Sequence, residues 1–274
     1  MTTAASEIKS GARFGFGRNW RNFNASASPA AVSGAVESLR ALLGVDELAG
    51  KTFLDAGSGS GLFSAAAHSL GATVSSFDFD PESVTCTQQR RDDIGADDSD
   101  WTVSTGSVLD DHFLAGLGVF DVVYCWGVAH HTGDMWSALQ NLAERVRPGG
   151  LLVVAIYNDQ GTPSRRWLHI KKLYNKYPLL RPLLLAGSFV RLWGVRSLKD
   201  MLRGRPFYSW RNYAVGYRGM SAWHDLVDWV GGYPFQVAKP EEIFEFYKAR
   251  DFQLEKLTTG AGGIGCNQYV FRRR

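Results

Sequence analysis

The sequence predicts an α/β domain built on a doubly wound sheet of seven strands. The sheet is expected to be mostly parallel with its last strand antiparallel, and a mainly helical insertion follows the fifth strand. Three observations carry this expectation. Short apolar runs alternate with helix-forming stretches from residue 50 to residue 157. The runs lack strict apolar–polar alternation, as strands covered on both faces do. A glycine-rich turn joins the first run to its helix, and repeated strand–helix units imply a parallel sheet with right-handed crossovers.

Residues 1–48 read as a cap segment and a helix. The stretch Phe14-Gly15-Phe16-Gly17-Arg18-Asn19-Trp20-Arg21-Asn22-Phe23 mixes aromatics with glycines. The glycines argue against a regular element, while the aromatics predict a short segment folded over the domain, with Trp20 and Phe23 close to a bound ligand. A helix is expected over 29–43.

The core spans 49–160. Strands are expected at 52–56, 73–77, 101–105, 120–126 and 151–157, with helices at 62–70, from Pro81 onward and at 134–146. Pro81 suits a first helical position, where its missing N–H costs nothing. Pro148-Gly149-Gly150 is read as the stop of the 134–146 helix. Residues 161–235 break the rhythm with many basic residues, few acids and interleaved Trp and Tyr. The closing segment, 236–274, resumes it with a helix over 240–250 and strands near 252–258 and 267–272.

Composition narrows the class. The chain has 274 residues, 45% apolar and 21% charged, with a net charge of +3, an ordinary balance for a soluble globular protein. That charge is too small to imply nucleic-acid binding by itself. Cys86, Cys125 and Cys266 lie far apart with no CxxC pair, so neither structural zinc nor a disulfide framework is expected, and Cys125 reads as a core residue. The start of the chain shows no leader pattern, and no window reaches the roughly 18 apolar residues that span a bilayer. A cytoplasmic location and no metal are the expectations.

The glycine turn is Leu54-Asp55-Ala56-Gly57-Ser58-Gly59-Ser60-Gly61. Its glycines allow close approach of a ligand to backbone N–H groups, and the helix N-terminus beyond adds donors. Asp55 before the glycines would repel a pyrophosphate yet tolerate a cationic amino-acid group. Asp78 ends the second strand, placed to accept from both hydroxyls of a ribose. Gly106-Ser107-Val108 ends the third strand, near where an adenine edge would lie. All fall at the carboxyl ends of strands, where such sheets bind ligands.

These residues resemble the class I S-adenosylmethionine-dependent methyltransferases, a Rossmann-like family. Residues 54–61 are similar to its glycine motif, and Asp78 in Phe77-Asp78-Phe79-Asp80-Pro81 to its ribose-binding acid. The run from Phe120 through Trp126 to His131 is similar to the fourth-strand motif, and Arg147-Pro148-Gly149-Gly150 to the turn before the fifth strand. The resemblance covers residues 50–160 and 237–274, and the pattern is closest to small-molecule methyltransferases of ubiquinone and menaquinone biosynthesis. It implies S-adenosylmethionine as donor, bound by Asp55, Gly57, Ser58, Gly59, Gly61, Asp78, Phe79, Ser107, Val108 and Trp126, to which the aromatic cap segment adds Trp20. Ser107 departs from the pattern, because many relatives carry an acid there. An Asn-Pro-Pro-Tyr motif is absent, which tilts the acceptor toward oxygen or an activated carbon.

Methyl transfer from a sulfonium needs alignment and an unprotonated nucleophile, and a hydroxyl acceptor gains from a general base. His130 and His131 follow the fourth strand. Each fits a catalytic role or a hydrogen bond to loop backbone; the backbone role suits His130 better, and for His131 the two are in balance. In Trp223-His224-Asp225-Leu226-Val227-Asp228-Trp229, a helix would put His224 and Asp228 on one face, as an oriented base or as a solvated face. Tyr157, Asn158 and Asp159 fit substrate contact or the start of the insertion.

The insertion reads first as a lid forming the acceptor pocket. It reads next as a basic surface for an anionic or lipid-like acceptor, or for a membrane surface touched by residues 178–185. Its third reading is a single-stranded nucleic-acid platform, without any clear RNA-binding module. The competing functions are an RNA methyltransferase, a nicotinamide-dependent oxidoreductase on the same glycine turn, and a protein that binds the donor without transferring its methyl.

Overall fold

The computed structural model describes residues 3–24, 29–213, 222–260 and 263–274. One seven-stranded sheet organises them, in the order β3-β2-β1-β4-β5-β7-β6. The strands are β1 (Thr52–Ala56), β2 (Thr73–Asp78), β3 (Trp101–Thr105), β4 (Phe120–Trp126), β5 (Val146–Tyr157), β6 (Phe252–Thr258) and β7 (Cys266–Arg273). From β3 to β5 every pairing is parallel, and β7 runs antiparallel to both β5 and β6. The order reverses between β1 and β4, which opens a crevice at the carboxyl ends of those strands.

Apolar runs bury both faces of the sheet. On one face α3 (Pro29–Leu43) and α4 (Leu62–Ser69) pack Leu39, Ala65 and Ala66 onto Phe53, Val74 and Val153. On the other, α6 (Asp111–Leu117) and α7 (Met135–Glu144) pack Leu114, Leu139 and Leu142 onto Leu54, Val123 and Leu152. Between them in sequence, α5 (Pro81–Asp93) starts on Pro81 with Asp80 as its cap, whose side chain accepts from the Glu82 N–H.

Two expectations are corrected. The aromatic N-terminal stretch is regular, with helices α1 (Ala4–Ser10) and α2 (Phe16–Asn24). Gly17 sits inside α2 because there is no room for a side chain: an added Cβ would lie 2.6 Å from Glu82 Cβ, and its N–H donates to Asp80 Oδ2 at 2.9 Å. Tertiary contact thus overrides the helix-weakening tendency of glycine. The Phe23 side chain and residues 25–28 lie outside the described part. Secondly, Pro148-Gly149-Gly150 falls inside β5, not at a helix end. The α7 helix stops at Glu144, Val146 already pairs with Phe120, and the next registered pair is Leu151 with Val122. The turn is absorbed as an irregularity in the ladder.

After β5 come α8 (Thr162–Lys176), a 3-10 turn at Pro178–Leu180, α9 (Arg181–Leu202), α10 (Tyr208–Arg211) and α11 (Ala222–Gly231). Trp167, Tyr174, Leu226, Val230 and Phe235 form their own apolar cluster. The cap segment docks on it: Phe14 N–H donates to Tyr233 O at 2.8 Å, and its ring fills the space left by Gly231. The last helix, α12 (Pro240–Lys248), returns Ile243 and Tyr247 to the main core.

Trp101 is fully buried, and its indole N–H donates to Ser76 Oγ at 2.8 Å. Trp101→Ala is expected to lower the unfolding free energy by about 3–5 kcal/mol, the usual cost of emptying a large aromatic site. Urea denaturation checks this, and an unshifted midpoint would mean that the edge of the sheet contributes little.

Candidate active site

A cavity of about 690 Å³ opens at the carboxyl ends of β1, β2 and β4, closed over by α2 and the insertion. Its floor begins at Asp55, the fourth residue of β1. Ser64 Oγ on α4 donates to Asp55 Oδ2 at 2.5 Å, the Ser64 and Ser76 hydroxyls are 2.8 Å apart, and Trp101 donates to Ser76. Burial pushes the Asp55 carboxyl up to about 7 against the pull of Ser64.

The turn after β1 follows from its glycines. Gly57 and Gly59 have φ of +87° and +56°, values that side chains resist. An added Cβ would also strike Val128 at Gly57 and meet the Trp20 indole at 3.0 Å at Gly59. The Gly59 N–H donates to Asp78 Oδ2 at 3.0 Å, and the Asp80 N–H to Oδ1 at 2.9 Å. Asp78 is raised to about 6, by burial first. A buried carboxyl, Asp55, and a half-buried one, Asp78, therefore sit at one end of the cavity with capacity for further donors.

Nearly all the residues expected to hold the donor come together here. Asp55, Gly57, Ser58, Gly59, Asp78, Phe79, Ser107, Val108, Trp126 and Trp20 all line the cavity. Gly61 does not: it takes φ +72° at the cap of α4, packed on the Thr87 backbone, so it shapes the turn from behind. Ser107 Oγ accepts from the Leu109 N–H at 3.1 Å. Arg13, which carried no signal in the sequence, also lines the cavity and stacks 4.8 Å from the Phe79 ring.

At the other end the histidines separate. His131 faces the cavity, with Nδ1 2.6 Å from Pro234 O. That carbonyl can only accept, so Nδ1 carries the proton and Nε2 is the acceptor. Burial, with the Lys171 cation nearby, holds His131 down to about 3. His130 is fully buried against the Tyr157 ring, 4.0 Å away, and does not line the cavity. It is the main chain of His130 that serves the loop, accepting from the Gln236 N–H at 2.9 Å.

The helix that would put His224 and Asp228 on one face forms as α11, but of its two readings the oriented His224–Asp228 pair does not form. Asp228 Oδ1 accepts from Asn19 Nδ2 at 2.8 Å, and the same amide donates to the His224 carbonyl at 3.3 Å. Asp225 and Asp228 line the cavity while His224 does not. The reason is helical phase. Asp225 and Asp228, three residues apart, share the inward face, with Tyr213 O–H donating to Asp225 at 2.7 Å. Burial, then the Asp225 charge, pushes Asp228 up to about 8. Behind it Lys171 is buried, donates to the Trp229 carbonyl, and lies 4.6 Å over the Trp229 ring. Burial lowers Lys171 to about 7. The Asp225–Asp228 spacing was visible in the sequence, whereas Asn19 and Lys171 join the site only through tertiary contact.

The insertion arginines sort outward. Arg203, Arg205 and Arg211 are exposed and off the cavity, and Arg196 lines it. Of the residues after β5, Tyr157 lines the cavity, while Asn158 and Asp159 do not.

A methyltransferase-domain family model matches residues 31–210. A ubiquinone biosynthesis O-methyltransferase of Xanthomonas euvesicatoria pv. vesicatoria is 32% identical over 179 residues, 61% of this chain and 71% of that protein. The protein of that name from Vibrio parahaemolyticus is 29% identical over 113 residues, 41% of this chain, and the match spans under half of the relative, 46%. Among solved structures, a magnesium protoporphyrin IX methyltransferase from Synechocystis PCC 6803 superposes with a TM-score of 0.55 at 17% identity, covering 94% of each chain. An O-methyltransferase family protein from Burkholderia thailandensis gives 0.51 at 13% identity, covering 93% of this chain and 59% of that one. These two likenesses speak for the fold alone. With a family model over most of its length and a relative of this identity and coverage, the chain belongs to the methyltransferase-domain family, as a class I S-adenosylmethionine-dependent member.

Proposed function

We propose that the protein transfers the methyl group of S-adenosylmethionine to a hydroxyl of a small-molecule acceptor. The observation that carries this reading is a single cavity with different chemistry at its two ends. Asp55, Asp78 and the glycine turn lie at one end, and a second pair of acids with His131 lies at the other. The O-methyltransferase names of the relatives support oxygen as the methylated atom.

The residues present fit the donor. Asp78, anchored on two backbone N–H groups, keeps lone pairs for ribose hydroxyls, and Asp55 offers negative charge to an ammonium group. When bound, S-adenosylmethionine supplies an electrophilic methyl on sulfur. Trp20 against Gly59, with Trp126, walls the cavity from water. The acceptor hydroxyl gives up its proton as its oxygen takes the methyl, and Asp228 is placed to receive it. Its Oδ1 is held by Asn19, and Oδ2 accepts no hydrogen bond among the described residues. A carboxyl near 8 is matched to proton transfer at neutral pH, whereas His131 at about 3 is a weak base. His131 instead offers Nε2 as a fixed acceptor that orients the hydroxyl.

Donor affinity should weaken as pH falls from 8 to 5. Free Asp78 and Asp55 take up protons near 6 and 7, and a protonated carboxyl accepts poorly from ribose or ammonium. Titration calorimetry across that range checks the sign. Asp78→Asn should lose about 1.5–3 kcal/mol of donor binding at pH 8 and flatten the profile, and unchanged affinity would remove Asp78 from the donor site.

The proton-transfer roles are tested with phenols of graded acidity. Asp228→Asn should lower kcat by about 10²–10⁴ with donor affinity intact, and the loss should shrink for phenols already ionised in the assay. His131→Ala should act mainly on acceptor KM. Wild-type kcat in Asp228→Asn would move the base elsewhere; a wild-type protein that binds the donor but methylates no hydroxyl would overturn the proposed reaction.

A further inference from the structure

The helix that forms one wall of the acceptor end carries a second, outward surface. Leu192, Trp193 and Arg196 of α9 look into the cavity. With about 100° of turn per residue, Leu183, Val190 and Met201 lie along another line of the same helix, about a third of a turn round from the cavity side. These side chains stand in solvent: Leu183 is 70% exposed, Val190 68% and Leu202 79%, and Leu179 in the preceding 3-10 turn is 95% exposed. Val195, Leu198 and Met201 extend the strip. Single exposed apolar residues are ordinary, but a row of them along a 22-residue helix marks a contact surface.

Charge decides the occupant. Arg191 lies among these residues and Lys199, Arg203 and Arg205 beside them, all exposed and none in an ion pair among the described residues. The only acid of α9, Asp200, is buried and accepts from the Ser209 N–H and hydroxyl, so this surface shows cations alone. A second copy packed symmetrically on the same face would bring those cations together. A layer of anionic lipid headgroups satisfies both features. Apolar side chains enter the acyl boundary, while guanidinium and ammonium groups meet phosphates. No described helix is long and apolar enough to cross a membrane, so the contact is in the plane of the surface.

We infer that α9, with Leu179 before it, docks the protein onto an anionic bilayer surface. The wall of the acceptor end is then the element seated against lipid. This docking rests on exposure and charge alone and stands apart from the identity of the methylated atom.

The test is sedimentation of the full chain with vesicles of phosphatidylcholine, and with vesicles of equal parts phosphatidylcholine and phosphatidylglycerol. Binding should favour the anionic vesicles by about tenfold or more and fade with added salt. The exposed pair Val190→Glu and Leu202→Glu should abolish it, while circular dichroism and donor affinity stay unchanged. Replacing Arg191, Arg203 and Arg205 with Ala should remove the preference for anionic lipid. Absence of binding, or equal binding to both vesicles, would overturn the inference. So would a dimer in gel filtration that the same glutamates dissociate, because a second copy would then cover the strip.

Discussion

The interaction on which the site depends is the buried line of hydrogen bonds from Trp101 through Ser76 and Ser64 to Asp55. It runs from β3 through β2 and α4 and ends on β1, tying three strands and a helix to one carboxylate. Each indole and hydroxyl proton is given to the next oxygen, so a charge in a desolvated place is met by a directed donor. Asp55 precedes the glycine turn by two residues. Fixing it fixes where the turn leaves the sheet, and the turn in turn supplies the Gly59 N–H that anchors Asp78.

A second set of contacts closes the cavity from outside the sheet. The α2 helix reaches both ends: Gly17 is held on Asp80, Trp20 lies on Gly59, and Asn19 spans Asp228 and the His224 carbonyl. A small helix near the chain start thus couples the residues that fit the donor to those that fit the acceptor. This also accounts for Gly17 within a helix, since close approach to α5 is worth more there than helix propensity.

The insertion separates its charges. Acids three residues apart on α11 turn inward, while Arg191 and Lys199 of α9 and Arg211 of α10 turn to solvent, Arg196 alone of the α9 cations lining the cavity. Apolar groups follow the same division, with Trp193 and Tyr213 buried at the cavity and Leu179, Leu183 and Val190 outside. The excess positive charge of the segment therefore belongs to an outer surface, and the cavity itself is lined mainly by acids and aromatic rings.

By itself the sequence determined the sheet, its seven strands, the glycine turn and the donor-side acids. Those features are local: apolar runs, helix starts and positive-φ glycines are written within a few consecutive residues, and the fold's connectivity then brings strand ends together. The helix over 223–229 was legible too, though His224 and Asp228 were read as its paired residues and the inward face of α11 instead carries Asp225 and Asp228. Only the tertiary structure decided that His130 is packed behind the site, that His131 is held by Pro234 as a weakly basic acceptor, and that Asp228 pairs with Asn19 instead of His224. The His131 and Asp228 contacts join residues 100 or more positions apart, and all three depend on burial that shifts proton affinities by desolvation. Neither quantity has a local signature in the chain.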